Sequence, residues 1–132
     1  MSKQNRFSVV CMSLCLFSTA SAELVRVIED SDKIFFVETN MIIPHVDKRR
    51  MAKELHEILK PGQSGVTSLR IRSEYDCGKS IFRELAVDEI MGEMGVGKVI
   101  KSSSTPTQWK KIKTSSGRQK VFNYICSYVP KN

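Results

Sequence analysis

The sequence predicts an α+β domain in which several short β-strands precede one C-terminal helix, with a disulfide that ties the helix to the sheet. Three observations predict this class. Short runs rich in β-branched and aromatic residues alternate with turn residues along most of the chain. Apolar residues at helical spacing follow near the C-terminus. Two cysteines, Cys77 and Cys126, lie outside an N-terminal leader.

Residues 1–22 have the organisation of a secretory signal peptide. Lys3 and Arg6 precede an apolar run over residues 7–17, and the segment closes with small residues up to Ala22. The apolar run is too short for the ~20 residues that a membrane-spanning helix needs. We therefore expect cleavage after Ala22, export of the chain, and no transmembrane segment in the mature protein.

Residues 23–132 are expected to form one small domain. Its two cysteines are an even pair in an exported chain, which predicts a single Cys77–Cys126 disulfide; a pair of free or redox-active thiols is the alternative. Neither cysteine lies in a C-x-x-C motif, and the chain has only two histidines, so no zinc site is expected.

The N-terminal part of this domain predicts a β-hairpin. Residues 24–28 and 33–38 are β-rich runs joined by the turn sequence EDSD.

The clearest strand is TSLRIRSEY, where Thr67, Leu69, Ile71 and Tyr75 alternate with polar residues. We expect this first set to be buried and the intervening set to face water. The intervening residues are Ser68, Arg70, Arg72 and Glu74. If the strand continues, the same alternation places Cys77 on the buried side.

Further elements follow the turn DCGK. SIFRELAVDEI is typical of a partner strand, and GKVIKSSS of another. The last segment predicts a short helix that Ser115 or Ser116 caps and that ends before Pro130. Its apolar stripe contains Val121, Phe122, Ile125 and Cys126. A bridge from Cys126 to Cys77 would therefore pin the helix to the buried face of the sheet.

The segment KRRMAKELHEILK is ambiguous. Its residues favour a helix by propensity, with Met51, Leu55, Ile58 and Leu59 on one side. Met51, Leu55 and Leu59 also fit the alternation of a strand. Propensity alone favours the helix.

The segment MGEMGVGKVI resembles a phosphate-binding loop, since Gly92, Gly97 and Lys98 occupy three of its positions. Val99 stands where a hydroxyl should hold Mg²⁺, and the residues after Lys98 favour a strand over the required helix. We therefore expect no nucleotide binding. The glycines are expected to form a turn between two strands.

The remaining sequence offers no catalytic, cofactor or metal site. His45 and His56 match no metal-ligand spacing and are expected to be solvated or locally bonded. No pair of carboxylates is singled out for acid–base chemistry. We therefore expect a protein that is not an enzyme and needs no cofactor.

A surplus of basic residues suggests the kind of partner. The chain has 21 Lys+Arg against 14 Asp+Glu, a balance that favours acidic partners such as sulfated glycans or anionic lipids. Nucleic acid is not expected as the partner of an exported chain.

The segment WKKIKT joins an aromatic residue to a basic cluster, although such a Trp is commonly a core residue with a solvated basic rim. The candidate binding patch is Trp109, Lys110, Lys111, Lys113, Lys48, Arg49 and Arg50.

In order along the chain, these features resemble the surface-adhesin protein E-like domain of Gram-negative bacteria, over residues 24–127. The marks are FFVETNMI, SLRIRSEYDC, FREL, MGVGKVI, the isolated Trp109 in TPTQWKKI, and the final Cys126. The resemblance implies an antiparallel sheet of about six strands with the C-terminal helix on one face, tethered by the disulfide. It also implies that residues 49–59 are a strand, and we follow it there against propensity.

The family is named for adhesion to host proteins, so the resemblance implies an exported, non-enzymatic binding module. Host matrix or serum proteins and sulfated glycans are the expected partners, in the periplasm or at the outer cell surface. The alternatives are a periplasmic enzyme or thiol-redox protein, and a structural protein of the envelope. An exposed edge strand could support a dimer.

Overall fold

The computed structural model describes residues 23–131, so the predicted signal peptide lies outside the described residues. The elements are eight β-strands, two 3₁₀ turns at Thr39–Met41 and Glu93–Gly95, and one α-helix. The strands and the helix are β1 (Leu24–Glu29), β2 (Lys33–Glu38), β3 (Ile43–Pro44), β4 (Arg49–Ile58), β5 (Ser68–Asp76), β6 (Ile81–Met91), β7 (Lys98–Ser103), β8 (Lys110–Lys111) and α1 (Gly117–Ser127).

All strand pairs of the sheet are antiparallel. The main order is β1-β2-β4-β5-β6-β7, while the two-residue strands β3 and β8 pair with β4 and β6. The predicted hairpin is confirmed as β1 and β2, and the predicted strands after the DCGK turn are β6 and β7. The strand β7 lies at one edge, and all six of its residues are exposed.

The ambiguous segment is a strand, so the helix that propensity favours is wrong and the expectation from the family resemblance is confirmed. β4 pairs with β2 on one side and with β5 on the other, which makes it a central strand. Backbone hydrogen bonds to two neighbours outweigh a local helical preference of a few tenths of a kcal/mol per residue.

The alternation predicted for β5 holds at its centre. Ile71 and Tyr75 are buried against the helix side, and Arg70 and Arg72 are exposed on the other side. The prediction that Ser68 and Glu74 face water is wrong, since both are buried. Each is covered by neighbouring chain: Ser68 Oγ donates to the carbonyl of Gly92 at 2.6 Å, and two arginines enclose Glu74.

The glycine-rich segment forms the turn between β6 and β7, as predicted. Gly92 has a φ of 154° and Gly97 a φ of 147°. A Cβ on Gly92 would lie 1.9 Å from the carbonyl oxygen of Val96, and a Cβ on Gly97 would lie 2.2 Å from that of Met91. Only glycine fits these positions. The chain continues after Lys98 as a strand, so the segment lacks the helix N-terminus of a phosphate-binding loop.

The helix α1 has the predicted cap and the predicted apolar stripe. The side chain of Ser116 accepts a hydrogen bond from the backbone N–H of Gln119. Val121 and Ile125 are fully buried against the sheet. They join a core cluster that contains Phe35, Val37, Ile42, Ala52, Tyr75 and Phe82. The Cys77–Cys126 disulfide is present and ties the end of β5 to the last turn of the helix.

Arg50 holds the C-terminal end of α1. Its Nη1 donates hydrogen bonds to the carbonyl oxygens of Ile125, at 2.6 Å, and of Tyr128, at 2.7 Å. The last carbonyls of a helix have no partner within the helix and carry partial negative charge. The guanidinium of Arg50 therefore stabilises the same end of the helix that the disulfide holds.

We expect Arg50→Ala to lower the free energy of unfolding by about 1–2 kcal/mol, because the carbonyls of Ile125 and Tyr128 lose a charged donor. Urea unfolding followed by circular dichroism measures the change. Arg26→Ala is the control: Arg26 is an exposed arginine paired with Glu29 on β1, and its loss should change stability by no more than about 0.5 kcal/mol. Equal losses in the two variants would contradict the capping role of Arg50.

Candidate binding surface

The two faces of the sheet carry different charged groups. The helix face is the one that α1 covers, and it contains a buried ionic network around Glu54. The open face is the opposite one, and it contains a tryptophan, several arginines and a groove. Adjacent residues of a strand point to opposite faces. Arg49 and Arg50 are such a pair, with Arg49 on the open face and Arg50 on the helix face.

The carboxylate of Glu54 lies at the centre of the helix face. It accepts hydrogen bonds from the hydroxyls of Ser73 and Tyr75. Nη1 of Arg118, on α1, donates to Glu54 Oε2 at 2.8 Å and to the Tyr75 hydroxyl at 2.7 Å. The guanidinium of Arg118 also lies 4.5 Å from the centre of the Phe82 ring. Arg118 thus hydrogen-bonds to Glu54 of β4 and Tyr75 of β5 and links the helix to the sheet.

Two opposing effects act on the pKa of Glu54. Burial raises the pKa, but the charge of Arg118 and the hydrogen bonds from His56 and Ser73 outweigh burial and hold it well below its usual 4.5. The carboxyl is therefore ionised at neutral pH. The pKa of Tyr75 is raised well above 10.0, first by burial and then by the negative charge of Glu54, so the phenol stays protonated and donates.

His56 completes the network. It is fully buried, and its Nε2 lies 2.7 Å from Glu54 Oε2. Because the carboxylate only accepts, Nε2 carries the hydrogen and donates it. His56 is thus locally bonded, which is one of the two environments that the sequence predicted for the histidines. Within the described residues, Nδ1 of His56 has no hydrogen-bond partner. The whole network is enclosed between helix and sheet, so its chemistry serves to position α1.

On the open face, Trp109 packs against two arginines. The guanidinium carbon of Arg83 is 4.6 Å from the centre of the indole ring, and that of Arg49 is 5.1 Å away. Both arginines surround the buried carboxylate of Glu74: Arg83 Nη2 is 2.7 Å from Oε2, and Arg49 Nη1 is 3.7 Å from Oε1. We call Trp109, Arg49, Arg83 and Glu74 the tryptophan cluster.

The tryptophan cluster explains why Trp109 is only half-buried. Its indole does not enter the core under the helix, where a lone Trp is commonly found; it covers two guanidiniums on the other side of the sheet. The side chain of His45 approaches the same carboxylate, with Nε2 3.8 Å from Glu74 Oε1. Arg49 Nε lies 3.6 Å from Asp76 Oδ2.

The structure brings only part of the sequence-predicted patch together. Arg49 and Trp109 are in contact, and four lysines near them are exposed, namely Lys48, Lys110, Lys111 and Lys113. Arg50 is directed into the helix face and is occupied by the end of α1. Trp109 and Arg49 stabilise the surface, which leaves the lysines as the part of the patch that a partner could reach.

Sequence reasoning missed Arg83 and Glu74. They lie opposite each other in the β5–β6 register, which a bulge between Arg72 and Ser73 shifts by one residue. Neither the register nor the bulge is visible in the sequence. The only available signal was the alternation of β5, which predicted that the side chain of Glu74 faces water.

The open face also contains a groove of about 500 Å³ across its centre. Its lining includes Lys53 and Leu55 of β4, Arg70 and Arg72 of β5, Ala86 and Asp88 of β6, and Glu38 at the end of β2. A smaller hollow of about 140 Å³ continues on the other side of Lys53 and Arg72. Among residues 23–131, no group of three or more His, Cys, Asp or Glu side chains is arranged to hold a metal ion.

In the part of the chain from 23 to 131, no helix has the length and apolar character needed to cross a membrane.

An open antiparallel sheet, with a disulfide-tethered helix on one face and charged side chains on the other, defines a small α+β domain that presents a surface to its surroundings. The family model for surface-adhesin protein E matches residues 24–127, and the chain belongs to this family. No curated protein and no solved structure matches the chain.

Membership of this family confirms the resemblance noted from the sequence, over the same residues. It indicates a surface adhesin with a non-enzymatic role, and an exported or cell-surface location.

Proposed function

We propose that this protein is an adhesin exported through its signal peptide to the outer surface of a Gram-negative bacterium, where it binds host extracellular-matrix or serum proteins. The observation that carries the proposal is the family match across nearly all the described residues. A fold alone does not define a function. The chemical class of the partner is therefore inferred from the side chains that the surface exposes.

The surface around the tryptophan cluster supports an acidic partner. Lys48, Lys110, Lys111 and Lys113 are exposed there, beside the contact between Trp109 and Arg49. Acidic stretches of matrix proteins and the sulfated glycans attached to them carry the complementary charge. The contact is electrostatic and exposed, so it is screened by salt.

We expect the triple variant K110E/K111E/K113E to lose at least about tenfold in affinity for immobilised heparin and fibronectin, because three attractive charges become repulsive. Biolayer interferometry at two salt concentrations measures the affinity. The matched control K98E/K101E/K120E changes the same number of exposed lysines on β7 and α1, away from Trp109. It should retain most of the binding.

Equal losses in the two triple variants would show that net charge alone drives binding and would contradict a site at the lysines beside Trp109. Absence of binding by the wild-type protein to either ligand would contradict adhesion to these partners.

A further inference from the structure

We propose that the groove on the open face binds a segment of a partner protein in which an acidic residue is flanked by apolar side chains, with Lys53 and Arg72 holding the carboxylate. This names a ligand chemistry for the adhesive function proposed above and rests on that function. It concerns a site distinct from the lysines beside Trp109.

The first observation is a pair of like charges at the centre of the sheet. Lys53 and Arg72 are direct cross-strand partners on β4 and β5. Like charges placed directly opposite each other destabilise a sheet. Neighbouring arginines on the same face are paired: Arg70 with Asp88 at 3.4 Å and Arg83 with Glu74 at 2.7 Å. Among residues 23–131, no carboxylate oxygen lies within 4.0 Å of the charged nitrogens of Lys53 or Arg72.

The second observation is the shape of the surface around these two cations. Both line the groove of about 500 Å³ and also the hollow of about 140 Å³, so they lie between the two concave regions. Across β5, the residue opposite Arg72 on β6 is Ala86, whose small side chain leaves space above the sheet. The space above Ala86 adjoins Arg72 on one side, and Lys53 flanks Arg72 on the other, so both cations lie beside the concave surface.

The third observation is the apolar lining on both sides of the cations. The groove has Leu55 and Met94 on its wall. The hollow has Ile43, Met51 and Leu85. A sulfated glycan has no apolar groups to fill two such regions, whereas a peptide with apolar residues on either side of Asp or Glu does. Lys53 is half-buried, which strengthens its attraction for an anion relative to a fully solvated lysine.

The test is a selection of displayed random dodecapeptides on the protein purified from the periplasm of a bacterial host. We expect enriched peptides to share an acidic residue with apolar neighbours. Their affinity, measured by fluorescence polarisation, should fall at least about tenfold in Lys53→Glu, because the new carboxylate occupies Arg72 and repels the ligand. Arg72→Gln should also weaken binding.

Thermal stability separates a binding role from a structural one. Lys53→Glu replaces a like-charge pair with an opposite-charge pair, so its Tm should equal or exceed that of the wild type. The matched control Lys98→Glu, on the exposed edge strand, should leave peptide affinity unchanged. The variant K110E/K111E/K113E should also keep peptide affinity, which distinguishes the groove from the lysines beside Trp109.

Three results would overturn the inference: enriched peptides without an acidic residue, equal peptide affinity in the wild type and Lys53→Glu, or displacement of the groove ligand by a heparin octasaccharide at lower concentration than by free peptide. The last would assign the groove to a glycan. If the protein fails to bind heparin and fibronectin but retains charge-dependent peptide binding, the proposed function fails while the groove stands.

Discussion

Loss of the Cys77–Cys126 disulfide is expected to lower the free energy of unfolding by about 4 kcal/mol. The bridge closes a loop with a sequence separation of 49, and the chain-entropy estimate for a loop of about 50 residues has this size. That is a large fraction of the ~5–15 kcal/mol that stabilises an ordinary domain. The bridge also holds the last turn of α1 beside β5, so its loss frees one end of the helix.

Urea unfolding of wild type and of C77S/C126S, followed by circular dichroism, measures the loss. The wild type with its disulfide reduced and alkylated is the companion sample and should agree with the double variant. Labelling of the native oxidised protein with iodoacetamide should modify neither Cys77 nor Cys126. A change below about 1 kcal/mol would contradict a structural role for the bridge.

Arg118→Met is expected to lower the free energy of unfolding by about 3–5 kcal/mol, because it leaves the carboxylate of Glu54 buried without its cation. Arg118 Nη1 also donates to the Tyr75 hydroxyl, so that phenol loses a partner in the same variant. Met was chosen because it keeps most of the side-chain volume beside the Phe82 ring and limits the loss of packing.

The double variant E54Q/R118M tests whether the unpaired charge causes this loss. Glutamine keeps the shape of Glu54 and one acceptor oxygen without the charge. The double variant should therefore be less destabilised than the sum of the two single variants, by about 1–3 kcal/mol. Strict additivity would show that Arg118 stabilises the helix by packing alone.

Acid unfolding gives an independent measure of the same network. The folded-state pKa of Glu54 is lowered, so its ionised form contributes stability that is fully present above the usual pKa of 4.5. This contribution is lost progressively as the pH falls below 4.5 towards the folded-state pKa. Stability measured between pH 3 and pH 7 should therefore fall less steeply on the acid side in E54Q than in the wild type. Identical slopes would contradict the lowered pKa.

The candidate site was less accessible to sequence reasoning than the fold. Trp109 and Arg49 were selected for their charge and aromatic character, and they do meet in space. Arg50 was selected by the same criterion, but the alternation of a strand directs it to the other face, where it caps α1. The strand itself was expected from the family resemblance, but the sequence did not show which of its two faces the helix would cover.

Buried charge was the feature that sequence reasoning missed most completely. Glu54 and Arg118 are 64 residues apart, and Arg83 meets Glu74 only because of the β5–β6 register. A charged residue is solvated by default, and burial becomes favourable only when a specific partner compensates the lost hydration. The sequence contains the charges but does not show which of them become partners.

By itself, the sequence determined the local elements of this protein. The period of two in β5, the glycine turn before β7, a serine cap at Ser115 or Ser116 and the cysteine pair each depend on neighbouring residues or on composition, so each could be recognised in advance. The tertiary structure decided whether β4 is a strand or a helix and which charges meet on each face. Those outcomes depend on contacts between distant residues, whose energies exceed local propensity and appear only when the sheet has assembled.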